Sequence, residues 1–362
     1  MVKGLFLSFI IHYFLLFANL GFSFEIRIGI ETSDPLQISG DGYFEIYGPD
    51  GFIGRRFNSG INLVSHNNGI IVGGYGVFSP PIFIIGVGES YPKLSKRRYR
   101  GTIEINKKQE ILQAINTVDI EEYLYGVIKM EINTKWPMET LKAQAVLART
   151  FAYQSLGKYN KRGYDLCDEV CCQVYRGINA EDERAIFAVN KTTGEVLYYN
   201  KSLANIYYHS TCGGKTTNPK SVWGGRENLF SSVVCPYCSG SPNYSWKLYL
   251  SFDDISSKLN IGNVSSINCI YTSDGRVAKI IINGKRIFGN EFRKLFGTTK
   301  VKSTLFRIEE KKNGIMLIGK GYGHGVGLCQ WGAKKMGDFG FTYKDILSFY
   351  FPGCEVKRIL ED

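Results

Sequence analysis

Two periods of apolar residues run through the chain and divide it. From Glu25 to about Val118, apolar and polar positions alternate: Ile26, Ile28 and Ile30 are interleaved with Arg27 and Gly29, and Thr102-Ile103-Glu104-Ile105 repeats the pattern. A period of two sends successive side chains to opposite faces, so this stretch predicts β-strands, with Gly and Asn clusters as the turns between them. At Asp119 the period lengthens. Asp119, with Glu122 three positions on, makes a capping-box-like start, and Ile120, Leu124 and Val127 then line one face of a helix. The segment Trp136 to Thr150 carries Pro137 in its first turn, is rich in Ala and Leu, and meets a stop at Gly157. A third helix is expected from about Glu181 to Thr192, closed by Gly194. Beyond it, strands alternate with short helices. Asp274-Gly275, Asn283-Gly284 and Asn313-Gly314 sit between apolar runs and predict hairpins, while Ser251 with Asp254 and Thr342 with Asp345 mark helix starts. The pattern reads as an α+β fold, β-rich with a few helices packed around a groove. Its parts are a β-rich stretch over 24–118, a core over 119–246, a small lobe over 247–310, and a glycine-rich motif with C-terminal helices over 311–362.

The N-terminus breaks both periods. Lys3 precedes an apolar run from Leu5 to Leu20, followed by Gly21-Phe22-Ser23. A basic residue, an apolar stretch and small residues in that order form the pattern of a signal peptide over 1–23. The run falls short of the ~20 residues that span a bilayer as a helix, and the alternative is an uncleaved anchor at residues 5–20. No second segment is long and apolar enough to span. The remainder is therefore expected to be exported to the cell envelope, periplasmic or on the outer face of the cytoplasmic membrane. This location changes the meaning of the charge. With 44 Lys and Arg against 33 Asp and Glu the net charge is +11, which favours an anionic partner. The basic residues are spread along the chain rather than gathered into arms, and an exported chain does not meet nucleic acid, so that class is set aside. Aromatic content is 14%, which suits both β-sheets and sugar sites.

One carboxyl stands out. In Tyr125-Gly126-Val127-Ile128-Lys129-Met130-Glu131-Ile132, Glu131 falls on the helical face of Leu124 and Val127, where the pattern calls for an apolar residue. Partial desolvation, together with the negative end of the helix macrodipole, disfavours the ionised carboxylate and raises its pKa. A carboxylic acid that keeps its proton near neutral pH can protonate the leaving oxygen of a glycosidic bond. The plainer alternative is a glutamate at a frayed helix end, facing water.

The run from Val118 to Ala152 resembles the signature of the SpoIID family, peptidoglycan lytic transglycosylases known from bacterial sporulation. Five further segments follow in that family's order: Cys172-Gln173-Val174-Tyr175-Arg176-Gly177; Tyr208-His209-Ser210-Thr211-Cys212-Gly213-Gly214-Lys215-Thr216; Ser221-Val222-Trp223-Gly224-Gly225; Ser241-Pro242-Asn243-Tyr244-Ser245-Trp246; and Gly321-Tyr322-Gly323-His324-Gly325-Val326-Gly327-Leu328-Cys329-Gln330-Trp331-Gly332-Ala333. The resemblance implies that Glu131 stands in the place of the family's essential glutamate. There one carboxyl serves first as acid and then as base, cleaving the bond between N-acetylmuramic acid and N-acetylglucosamine in glycan strands stripped of stem peptides and leaving 1,6-anhydro ends. No cofactor is required. Other relatives are described as enhancers of a cell-wall amidase, so a noncatalytic peptidoglycan-binding module is the alternative.

Arg149, in the family's Ala-Arg-Thr motif, is a candidate to hold a substrate carbonyl or carboxylate in a fork; a salt bridge on the helix is the alternative. His324 and Gln330 are candidates for hydrogen bonds to glycan, with a buried, satisfied imidazole the alternative for His324; Tyr208, His209, Lys215 and Tyr244 are further candidates. Lys142, Gln144 and the four Trp residues read as structural. The glycines at 321–327 lack P-loop and dinucleotide spacing, and instead suit close approach of the backbone to a sugar or a neighbouring strand. Cys167, Cys171 and Cys172 fall where some family members hold a structural zinc with Cys and His, although this sequence has no His there. Disulfides compete with that reading, since an exported chain permits them and Cys235-Pro236-Tyr237-Cys238 offers a pairing within itself or with Cys212. Cys269 and Cys329 are expected to be buried thiols or to pair in ways the sequence leaves open.

Overall fold

The computed structural model describes residues 24–224 and 231–359. The leader expected at 1–23 lies outside them. Among the described residues no helix is long and apolar enough to cross a membrane.

The chain is α+β and divides into two compact units. The first comprises the chain through Tyr123 together with Asn160–Asp165; the second comprises Leu124–Tyr159 and Leu166–Asp362. In the first unit the alternating pattern becomes two sets of antiparallel strands. Glu25–Ser33, Ile111–Asp119, Thr102–Lys108, Ile82–Gly86, Tyr43–Gly48 and Gly51–Phe57 lie side by side in that order. A second sheet is built in the order Arg97–Arg98, Pro92–Leu94, Leu36–Gly40, Ile61–His66, Gly69–Val72 and Gly76–Phe78. One residue in two turns inward: Ile26 and Ile28, Ile82 and Ile84, and Ile103 and Ile105 are wholly buried. Helix α1 (Ile120–Glu131) starts where the sequence placed it, with the Asp119 carboxylate accepting from the backbone N–H groups of Glu121 and Glu122 at 2.8 and 3.3 Å.

Among the described residues the second unit has two apolar clusters. The first surrounds helix α2 (Met138–Gln154). Ala143, Val146 and Leu147 of α2 meet Leu328, Ala333, Met336, Ile346, Leu347 and Tyr350, as well as four cysteines. α2 is buried on nearly every side, which accounts for its run of small residues: Ala143, Ala145, Ala148 and Ala152 let neighbouring chain approach closely. The second cluster joins Trp246, Leu250, Ile280, Ile282, Phe292, Ile315 and Leu317. It forms under two three-stranded sheets, one of Ser245–Ser251, Gly314–Lys320 and Phe306–Lys311, the other of Ile267–Tyr271, Val277–Ile282 and Lys285–Phe288. All three expected hairpins close in these sheets, and Asn283 and Gly284 adopt φ of 48° and 80° in the two-residue turn between Val277–Ile282 and Lys285–Phe288. Ser251 and Thr342 cap their helices through the N–H groups of Asp254 and Asp345.

Candidate active site

α1 ends on Glu131, and what its last turns pack against decides the state of that carboxyl. Leu124, Val127 and Ile128 are buried. Gly126 leaves room for the segment that follows Cys172, since a Cβ there would lie 2.6 Å from the Tyr175 ring and 2.9 Å from the Gly177 carbonyl oxygen. The Arg176 N–H donates to the Gly126 carbonyl at 3.3 Å. With this segment held against α1, the Val174 N–H reaches Glu131 Oε1 at 3.2 Å. The Tyr208 hydroxyl faces the same carboxyl and favours its ionised form, and it accepts from the Gln173 amide at 3.3 Å. From behind, the Gln330 amide donates to the backbone carbonyl of Glu131 at 2.9 Å and to Gln144 Oε1 at 3.3 Å. The turn after Glu131 is held too: the Arg184 guanidinium donates to the carbonyls of Thr134 and Trp136, both at 2.8 Å.

The carboxyl opens into a cavity of about 260 Å³ lined by Phe151, Val170, Cys172, Val174, Ile206, Tyr207, Tyr208 and His324. Burial among these mostly apolar groups is the largest influence on Glu131 and raises its pKa; the Val174 N–H and Tyr208 hydroxyl pull the other way without cancelling it. Among the described residues that line the cavity, Glu131 is the sole carboxylate.

His324 forms part of the wall. Its Nδ1 accepts from the Val326 N–H and its Nε2 donates to the Tyr208 carbonyl, each at 3.0 Å. With both ring nitrogens taken by backbone, the imidazole is satisfied, the alternative weighed for it, and has no hydrogen bond left for glycan. Burial holds its pKa down at about 4, so the ring is neutral. It presents a face instead: its ring lies 5.2 Å from Trp223 and 6.2 Å from Tyr207, which itself lies 4.8 Å from Trp223. Trp223 is 47% exposed and so is not the core residue expected.

The other expected site residues fall elsewhere. Arg149 is wholly buried and donates to the carbonyls of Glu195 and Val189 at 2.9 and 3.3 Å. It serves the interior, and no substrate can reach it there. His209 is buried, with Nδ1 bonded to the Val326 carbonyl at 3.0 Å; its pKa is pushed well below the usual value, chiefly by burial. Gln330 positions Glu131 and Gln144 rather than facing the cavity. The Lys215 carbonyl accepts from Arg276 at 3.2 Å, and the Tyr244 ring lies under Lys320 Nζ at 5.7 Å; neither residue lines the cavity. Cys167 and Cys171 are joined as a disulfide, and Cys172 accepts from the Cys167 N–H at 3.4 Å and from Lys158 Nζ at 3.5 Å. The three sulfurs lie within 4.8 Å of one another, so the thiol group that the sequence offered for an ion is assembled in this loop. The residues that sequence reasoning passed over are Val174, which acts through its backbone, and Gln173, Tyr207 and Trp223. Gln173 and Val174 stand in a motif already singled out, which was the available signal.

The glycine-rich loop packs against neighbouring strand. Tyr208–His209 pairs in parallel with Leu328–Cys329, and Thr211 exchanges backbone bonds with Tyr322 at 3.0 and 2.8 Å. Gly327 has φ +70°, and a Cβ there would lie 2.1 Å from the Tyr207 carbonyl oxygen. Gly327→Ala is therefore expected to cost about 2–4 kcal/mol, from left-handed strain plus overpacking, seen as a lowered denaturant midpoint.

Residues 108–199 match the family model described as SpoIID, stage II sporulation protein. An uncharacterised protein of Brachyspira hyodysenteriae is 33% identical over 307 residues, 83% of this chain and 82% of that one. Stage II sporulation protein D of Bacillus amyloliquefaciens is 30% identical over 267 residues, 68% of this chain and 76% of its own. An amidase enhancer of Bacillus subtilis is 28% identical over 290 residues, 64% of this chain but 39% of its own length. With the family model falling on the helices and the segment that build the Glu131 site, and identity of this extent reaching well beyond them, the chain belongs to the SpoIID family.

Proposed function

We propose that this protein is an enzyme of the bacterial cell envelope, a lytic transglycosylase that cuts peptidoglycan glycan strands. The observation that carries the reading is a single, mostly buried carboxyl with a raised pKa in the wall of a cavity that holds no second carboxylate among its described residues. A hydrolase of the usual kind needs two carboxyl groups, one of them to activate water or attack the sugar. One suffices when the substrate brings its own nucleophile. Glu131 gives its proton to the oxygen between N-acetylmuramic acid and N-acetylglucosamine as the bond to C1 breaks. The C6 hydroxyl of the muramoyl unit then attacks C1, and its proton passes to Glu131, which ends as it began. The 1,6-anhydro ring closes without water. The exposed Trp223, with the Tyr207 and His324 rings beside it, suits the apolar face of a sugar ring.

The test is mass spectrometry of soluble products after incubation with denuded glycan, wild type beside Glu131→Gln, together with a pull-down on sacculi. Anhydro-muramoyl ends from the wild type support the reading. Retention on sacculi with no such ends would favour a glycan-binding module that serves an amidase, in keeping with the similarity to the Bacillus subtilis amidase enhancer.

A second outcome follows from the hydrogen bonds. The Tyr208 hydroxyl stabilises the ionised form of Glu131 and so lowers its pKa. Tyr208→Phe removes that stabilisation and raises the pKa further. The descending limb of the pH–rate profile, where Glu131 loses the proton it must donate, is expected to move to higher pH. A limb that stays put, or moves down, would contradict the assignment of Glu131 as the acid.

A further inference from the structure

Away from the Glu131 cavity lies a cluster that the reaction does not use. Cys212, Cys235, Cys238 and Cys329 are each no more than 1% exposed, and their four sulfur atoms lie within 4.8 Å of one another. All four are free thiols. We propose that these four cysteines bind one zinc ion as a closed, structural tetrathiolate centre that braces the floor of the active site.

The geometry is that of ligands around a common point. Four sulfurs at a Zn–S distance of about 2.3 Å stand about 3.8 Å from one another along the edges of a tetrahedron. Cys212 Sγ and Cys238 Sγ are 3.5 Å apart, close to that edge and far from the ~2.05 Å of a disulfide. Cys235-Pro236-Tyr237-Cys238 has the Cys-x2-Cys spacing of a zinc knuckle, and the short 3-10 turn Pro236–Cys238 folds its two sulfurs to the same side. Donors to sulfur are in place, as thiolate ligands require: the Cys212 N–H points at Cys329 Sγ at 3.2 Å, and the Tyr350 hydroxyl lies 3.1 Å from Cys235 Sγ. With four protein ligands and no exposed face, the site leaves no position for substrate or water, so the ion would hold structure rather than perform chemistry.

What it would hold follows from the chain. Cys329 immediately precedes Gln330, whose amide grips the backbone of Glu131. Cys212 follows the strand Tyr208–His209, which pairs with Leu328–Cys329. The Cys235 N–H bonds the Gly214 carbonyl at 2.9 Å, tying the knuckle to the turn after Cys212. One ion thus links three segments distant in sequence, two of them adjoining residues that set the Glu131 carboxyl.

The experiment measures metal by inductively coupled plasma mass spectrometry in the full chain, in Cys171→Ser and in Cys235→Ser/Cys238→Ser. Expected are about one zinc per chain for the first two and less than a tenth of that for the double variant. Should the double variant fail to fold, zinc-edge X-ray absorption on Cys171→Ser still decides, since four sulfur donors are expected and mixed sulfur and oxygen or nitrogen donors would overturn the proposal. Peptide mapping that finds Cys212, Cys235, Cys238 and Cys329 in disulfides, iron in place of zinc, or metal lost in Cys171→Ser but kept in the double variant would also overturn it. None of these readouts depends on glycan cleavage, so the zinc site stands or falls separately from the proposed activity.

Discussion

Glu131→Gln is expected to lower the release of anhydro-muramoyl ends from denuded glycan by about 10²–10⁴-fold, the range for losing a positioned general acid–base group. The amide keeps the size of the carboxyl and can still accept from the Val174 N–H and the Tyr208 hydroxyl, so folding and retention on sacculi should survive. What it cannot do is donate a proton to the leaving oxygen and then take one from the C6 hydroxyl. The pH dependence of the wild type carries the same signature. Burial among Phe151, Val174, Ile206 and Tyr207 raises the pKa of Glu131, so the proton it must give remains in place to higher pH than an exposed glutamate would allow. Activity should fall as pH rises through that raised value, and the fall should lie above the ordinary glutamate range. Undiminished anhydro products from the glutamine variant would remove Glu131 from the chemistry.

Arg149→Ala is expected to destabilise the protein by about 3–5 kcal/mol, because it strands buried carbonyls and leaves a cavity beside α2. The carbonyls of Glu195 and Val189 lose a charged donor at a depth where water cannot replace it. Arg149→Lys should recover only part of this, since an ammonium cannot reproduce the planar fork. A chemical-denaturant midpoint measures the loss. Were Arg149 a substrate clamp, the midpoint would hardly move and the apparent affinity for glycan would fall instead.

The contrast between these two residues shows what was legible in the sequence. Glu131 interrupts an apolar stripe that is plain in α1, so spacing raised its partial burial beside the plainer water-facing alternative, and the family's motif weighed for the first. Arg149 sits in a helix surrounded on nearly all sides, where Ala replaces the one-sided stripe and periodicity no longer reports depth; a motif position was then mistaken for a place at the surface. The strand pattern, the hairpin turns and the caps at Asp119, Ser251 and Thr342 were legible because each depends on residues within a few positions. For His324 the sequence left a glycan contact and a satisfied imidazole side by side, for the opposite reason. Its two nitrogens are engaged by Tyr208 and Val326, and the first of these contacts exists only once a distant strand has been brought alongside. The four buried thiols are hidden in the same way: Cys212 and Cys329 are neighbours through the pairing of Tyr208–His209 with Leu328–Cys329, which local pattern does not disclose.

The grip of Gln330 on the carbonyl of Glu131, with Arg184 fastening the turn that follows, fixes the peptide unit from which the carboxyl hangs. A single acid that serves two oxygens in succession must either travel between them or let the sugar travel. With its main chain pinned on both sides, Glu131 keeps only its side-chain torsions, so under the proposed reaction the swing from the departing oxygen to the muramoyl C6 hydroxyl would be a rotation within one residue, and the larger displacement would fall to the glycan.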